Sequence, residues 1–236
     1  MIRNQPTIIL VRPQLPENIG MVARVMNNFS LKNLIIVNPR KGWLNNKSIN
    51  SAKKANDIIN KAKVYYDLDE AVRNFTYVIA TTNRKRFIDK RSSNNFNNIS
   101  RILKNHKKIA ILFGPENSGL SNHDLRLCDL IFSINTNSIS NSLNLSHAVA
   151  IISFKLFELD KSKKKNIKSQ NNNFINKGEL SKYFDYLFEN LENKNFFIPK
   201  EKTESMKNNI YNIYLKSPLT KKEIQTLWGI TKKLIK

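Results

Sequence analysis

Residues 109–158 read IAILFGPENSGLSNHDLRLCDLIFSINTNSISNSLNLSHAVAIISFKLFE, and this stretch decides the fold class. Ile109 to Phe113 is an unbroken apolar run halted by Gly114 and Pro115, the pattern of a strand buried on both faces of a parallel sheet. Leu130 to Ile134 repeats the pattern. After a polar loop over Asn135 to Asn141, the segment Ser142, Leu143, Asn144, Leu145, Ser146 leads into an apolar helix from Ala148 to Leu159, with Ser146 as its expected N-cap. Each strand therefore ends in a loop of small and polar residues. In open α/β sheets that is where ligands bind, in the crevice beyond the carboxyl ends of the strands. Gly114 and Gly119 would let a ligand approach the backbone there.

Gly114, Gly119 and Ser121 also stand at the spacing of a phosphate-binding P-loop, but Leu120 takes the place of the lysine that reaches the terminal phosphates. Nucleotide hydrolysis is disfavoured on that ground. The plain alternative is a glycine-rich turn between sheet and helix.

Upstream, Thr7 to Val11 is a short apolar strand, and Pro13, Pro16 and Glu17 make the turn into a helix beginning near Asn18. Ile19, Val22, Val25, Met26 and Phe29 mark its apolar face at helical spacing, and Arg24 falls off that stripe. A strand over Leu34 to Val37, a helix over Ser48 to Ala62, a brief strand over Val64 to Tyr66 and a short helix over Asp67 to Asn74, with Asp67 as cap, follow in turn. Tyr77 to Thr81 is the next buried strand and runs into Thr82, Asn83, Arg84, Lys85 and Arg86. Two hydroxyls and three cations at a strand end suit a ligand-contacting turn followed by a clamp on RNA phosphate; an exposed basic loop with no duty is the alternative. The alternation of strands and helices predicts an α/β fold with a parallel sheet and helices on both faces.

Downstream, residues 161–177 form a linker rich in Lys, Asn and Ser. From residue 178 to 236 apolar residues return at helical spacing and predict three helices, separated near Pro199 and Pro218, with Thr220 and Glu223 forming a capping box for the last. A unit of that size is marginal alone, so it is expected to pack on the 1–160 domain or on a second chain.

The 236 residues carry 40 Lys and Arg against 18 Asp and Glu, a net charge of +22. A field of that size attracts polyanions, and the excess is +12 over residues 1–160 and +10 over 161–236, so both parts can touch nucleic acid. No apolar run is long enough to cross a bilayer, and the start of the chain lacks the pattern of a signal peptide. Cys128 is the single cysteine and enters an apolar strand, which predicts a buried side chain in a reducing compartment. His106, His123 and His147 lack metal-ligand spacing, so no metal site is expected.

Gly114, Pro115, Glu116 and Gly119 after one strand, then Ser142, Leu143, Asn144 and Leu145 opening a helix after the next, resemble the second and third motifs of the SPOUT class of RNA methyltransferases. Asn18, Gly20 and Arg24 match its first motif, Asn-x-Gly-x-x-x-Arg. Within the class the chain is most similar to the TrmJ-like tRNA (cytidine/uridine-2'-O)-methyltransferases, through nearly its whole length. The resemblance implies a SPOUT-type α/β knot, with a parallel sheet, a C-terminal trefoil knot and a small helical C-terminal extension thought of as tRNA-binding. Periodicity could not yield the knot. It also implies S-adenosylmethionine as cofactor, held by backbone groups at Ala80, Thr81, Thr82, Gly114, Ile134, Asn141, Ser142 and Leu143. Arg24, Asn18, Glu116, Ser142 and Asn144 are the implied catalytic set, and Arg84, Arg86 and Arg24 the implied RNA contacts. The activity implied is ribose 2'-O-methylation of tRNA at nucleotide 32 by a cytoplasmic homodimer. No DNA or membrane partner is expected. Ribosomal RNA methylation and a non-catalytic RNA-binding protein of the same fold are the alternatives.

Overall fold

The computed structural model describes residues 5–84, 90–137, 142–161 and 173–235. In chain order the elements are β1 (Thr7–Val11), α1 (Pro16–Asn28), β2 (Leu34–Val37), α2 (Asn46–Ala52), α3 (Asn56–Asn60), β3 (Lys63–Tyr65), α4 (Leu68–Val72), β4 (Tyr77–Thr81), β5 (Ser92–Ser93), α5 (Phe96–Asn105), β6 (Ile109–Phe113), α6 (Asn122–Leu125), β7 (Leu130–Phe132), α7 (Leu145–Lys161), α8 (Lys177–Asn193), α9 (Thr203–Tyr214) and α10 (Lys221–Ile235). The seven strands form one sheet in the order β3-β2-β1-β6-β4-β7-β5, and every pairing is parallel. Parallel pairing puts all the strand-end loops on one edge, which is the condition for building a site from residues far apart in sequence.

Successive side chains of a strand point to opposite faces, and the apolar runs serve both. Ile8, Leu10, Ile36, Ile79, Ile111 and Phe113 face a core with α1, α2, α3, α5 and α7. Ile9, Val11, Val78, Ala80, Ala110 and Leu112 belong to a second core that continues through α4 and the Leu120–Cys128 segment into α8, α9 and α10. Phe188 and Tyr211 pack beside Phe184, and Phe197 against Phe188, in that aromatic layer. A buried ion pair fastens the C-terminal helices. Lys177, the first residue of α8, donates its Nζ to Asp129 Oδ1 at 2.6 Å, while Asp129 Oδ2 accepts the Val78 N–H of β4 at 2.7 Å. Glu223 and Thr220 cap α10 reciprocally as the sequence predicts.

Two local expectations are corrected. The helix expected over 48–62 divides at Lys53, whose φ is 54°, into α2, a 3-10 turn over Lys53–Ala55 and α3; the break lets Ala52, Ala55, Ile58 and Ile59 all reach the core. Helix α7 begins at Leu145, earlier than expected, because the Asn144 side chain rather than Ser146 does the capping: Asn144 Oδ1 accepts the Ser146 N–H at 2.8 Å. The segment after the basic turn also holds β5 and the amphipathic α5, which packs Ile99 and Leu103 into the core. Among the described residues no helix is long and apolar enough to cross a membrane.

Candidate active site

The carboxyl ends of β6, β4 and β7 and the start of α7 enclose a cavity of about 200 Å³. Its wall is formed by Thr81, Thr82, Asn83 and Arg84 after β4, by Phe113 to Glu116 with Gly119 after β6, by Phe132 and Ile134 after β7, and by Ser142, Leu143, Leu145 and Ala148. The Gly114 loop turns back on itself so tightly that a Cβ on Gly114 would lie 2.4 Å from the Leu120 nitrogen. Gly119 adopts a left-handed φ of 65°, which favours glycine, and the Arg84 side chain lies beside it, its Cδ 3.8 Å from where a Cβ would stand. Leu120, at the position where a P-loop has its lysine, is completely buried in the core.

Hydrogen bonds order the β4 turn. Thr81 Oγ1 donates to the Leu112 carbonyl at 2.7 Å, the Thr82 carbonyl accepts from Ser133 Oγ at 2.9 Å, and Arg84 Nη2 donates to the Asn117 carbonyl at 2.7 Å. Arg84 therefore spans from one cavity loop to the next.

Glu116 faces the β1–α1 turn. Its Oε2 accepts the Gln14 N–H at 2.9 Å, and its Oε1 accepts from the Leu15 N–H at 3.4 Å and from Asn18 Nδ2 at 2.7 Å. Asn18 Oδ1 in turn accepts from Asn144 Nδ2 at 3.2 Å. The order Glu116, Asn18, Asn144 is one continuous polar chain linking the ends of β6, β1 and β7, and a carboxylate that accepts three N–H groups is fixed in place.

Of the residues singled out from the sequence, the structure brings Asn18, Glu116 and Asn144 into that chain, and Thr81, Thr82, Arg84, Gly114, Ile134, Ser142 and Leu143 onto the cavity wall. The Ala80 side chain is fully buried in the second core. Arg24 is exposed on α1 and outside the cavity lining. Six residues separate it from buried Asn18, which at 100° per residue sets the two about 120° apart around the helix. Arg86 and Asn141 lie outside the described residues. Sequence reasoning missed Phe113, Leu145 and Ala148 as wall residues; their signal was position, since each lies at a strand end or near the start of α7.

Cys128 is buried, and burial pushes its thiol up to about 12, so it is an inert core residue. Among the described residues no group of three or more His, Cys, Asp or Glu side chains could hold a metal ion.

The sequence model of the SpoU rRNA Methylase family matches residues 5–154. A tRNA (cytidine-2'-O-)-methyltransferase, TrmJ, of Methanocaldococcus jannaschii is 33% identical over 235 residues, covering 96% of this chain and 98% of that one. The tRNA (cytidine/uridine/adenosine-2'-O-)-methyltransferase TrmJ of Pseudomonas aeruginosa is 27% identical, over 94% of this chain and 91% of its own. The crystal structure of TrmJ from Z. mobilis superposes with a TM-score of 0.88 at 33% identity, covering 98% of this chain and 99% of that one.

Proposed function

This chain belongs to the SpoU rRNA Methylase family, and we propose that it methylates the ribose 2'-hydroxyl of a tRNA nucleotide, with S-adenosylmethionine as donor. One observation carries the reading. The Glu116, Asn18, Asn144 chain meets the rim of a cavity built by three adjacent strand ends, in a chain whose near-full-length relatives are named as tRNA 2'-O-methyltransferases.

The cavity suits the cofactor. Phe113, Phe132, Leu145 and Ala148 offer an apolar slot for an adenine ring, and the turns at Thr81–Thr82, Gly114, Ile134 and Ser142–Leu143 offer backbone donors and acceptors for its polar groups. When bound, the cofactor supplies an electrophilic methyl group.

A ribose hydroxyl is a poor nucleophile until its proton is drawn off, and in-line approach has to be enforced by the site. Arg24 stays protonated in proteins, so its role in this reading is to stabilise the forming alkoxide. In this reading its place about 120° from Asn18 around α1 suits it to the cavity of a second copy, the active species being a homodimer with α1 and α7 at the seam. Met21 at 36% and Phe154 at 43% exposure supply apolar surface there. Arg84 would hold RNA phosphate beside the cavity, the lysines of α10 (Lys221, Lys222, Lys232 and Lys233) would hold the rest of the tRNA, and the cytoplasm is where that substrate is met. The target is nucleotide 32, cytidine or uridine.

Ribosomal RNA is the second reading, favoured by the description of the matching family itself. Transfer of labelled methyl from S-adenosylmethionine into unmodified tRNA and into ribosomal RNA, with the labelled nucleotide mapped, separates them. Label at ribose 32 of tRNA, lost in Arg24→Ala, is the expected result. Label elsewhere in the anticodon loop overturns the position, label only in ribosomal RNA overturns the substrate, and no label in either leaves an RNA-binding protein.

A further inference from the structure

The Gly114 loop is tied to the β1–α1 turn at two places, and the mechanism above uses only one. The first tie is Glu116. The second lies at the far end of the loop, where Arg12, the residue that follows β1, places its guanidinium against the Asp124 carboxylate, with Nη1 3.1 Å from Oδ1 and Nη2 against Oδ2. A forked guanidinium–carboxylate pair fixes orientation as well as distance. Asp124 is 2% exposed and Arg12 36%.

Both partners are held in unusual ways. Arg12 has a φ of 48°, a left-handed conformation that is strained for a non-glycine residue and persists only where its surroundings enforce it. Its N–H donates to the Val37 carbonyl at 2.7 Å and its own carbonyl accepts from Gln14 Nε2 at 2.8 Å, so the kink is fixed from both sides. Asp124 Oδ2 also accepts the Ser121 N–H at 2.7 Å, and Ser121 Oγ accepts the Asp124 N–H at 3.1 Å. The carboxylate thereby closes the loop at Ser121. Neither Arg12 nor Asp124 lines the cavity.

Resting on the reading given under Proposed function, we propose that Arg12 is a positioning residue: through Asp124 it holds the cavity loop Gly114–Ser121 in register with the turn that presents Asn18, so that cofactor affinity depends on a side chain that never touches the cofactor. Glu116 braces the loop near its start and Arg12 braces it at its end. Gly119, a wall residue with a left-handed φ, lies between the two.

The test compares wild type with Arg12→Gln and with the milder Arg12→Lys, which keeps the charge but loses the fork. In the protein without cofactor, hydrogen exchange of the 114–121 amides is expected to quicken about tenfold in Arg12→Gln, with the amides of β1, β6 and α8 unchanged. The dissociation constant for S-adenosylmethionine is expected to rise about tenfold, the KM for tRNA to stay within about twofold, and Arg12→Lys to fall between. Unchanged exchange in the loop, a uniform rise across the sheet, or a cofactor affinity equal to wild type overturns the proposal. Should Arg12→Gln fail to fold, Arg12→Lys decides by the same criteria. A wild type that binds no S-adenosylmethionine overturns the functional reading, and loop exchange then still judges the brace.

Discussion

Gly114 stands at the end of the central strand, where the backbone must reverse against its own continuation. A methyl group there would meet the Leu120 nitrogen and the Gly119 backbone, neither of which can swing aside as a side chain could. Gly114→Ala is therefore expected to displace the loop and weaken cofactor binding by more than about tenfold, a loss of more than about 1.4 kcal/mol, measured by titration calorimetry. His106 illustrates a different residue-scale constraint. It is buried beside Tyr77 and stacked on Phe174 with centroids 4.5 Å apart, its Nδ1 has no hydrogen-bond partner among the described residues, and burial lowers its pKa to about 4. Since the folded value lies below the ordinary one near 6.5, the unfolded chain binds the proton more readily. His106 thus leaves stability intact above about pH 6.5 and takes it away as pH falls toward 4. His106→Phe should flatten that part of a plot of Tm against pH; an unchanged slope would remove His106 as its source. The Asp124 carboxyl is pushed up by burial but held below its usual range by the stronger sum of the Arg12 and Ser121 hydrogen bonds. Its stabilisation is present above the ordinary carboxylate range and fades only at more acid pH, a contribution that Asp124→Asn should abolish.

At the scale of elements, Asn144 has two duties that compete for one side chain. Its oxygen caps α7 through Ser146, and its amide donates to Asn18. Asn144→Asp keeps the cap and loses the donor, so helix stability should hold while methyl transfer falls. Asn144→Ala should lose both and cost about 1 kcal/mol of stability besides, which urea unfolding followed by circular dichroism would show. The sequence makes β1, β2, β4 and β6 legible because a strand buried on both faces needs an unbroken apolar run, and their observed bounds coincide with those runs. Helix α5 carried a readable signal as well: Phe96, Ile99, Ile102 and Leu103 at helical spacing after Asn95, whose side chain caps the helix. That signal was overlooked beside the basic turn that precedes it. The chain from Glu116 to Asn144 could be suspected only by resemblance, since no local pattern says that residues 98 and 126 positions from Asn18 will touch it. Strand order sets the first contact, since β1 and β6 are neighbours, and the packing of α7 on α1 sets the second, since β7 lies three strands from β1.

On the scale of the whole molecule, the C-terminal helices share one core with the second face of the sheet, and the Lys177–Asp129 pair lies inside the junction. Lys177→Met would strand a buried carboxylate and should cost about 3–5 kcal/mol. Adding Asp129→Asn, which can still accept the Val78 N–H, should recover more than half of that loss. Urea unfolding followed by the fluorescence of Trp228 in α10 would measure both, and a loss that the second substitution cannot relieve would place the cost outside the ion pair. The all-parallel sheet carries one more consequence. The four strands whose ends supply Asn18, Glu116, the Thr81 turn and Ile134 are adjacent, in the order β1, β6, β4, β7, and neighbouring strands lie about 4.8 Å apart. The sheet is a ruler with three divisions. It fixes about 14 Å between the outermost of those strand ends, and loops of any composition grafted onto them would start from the same gauge.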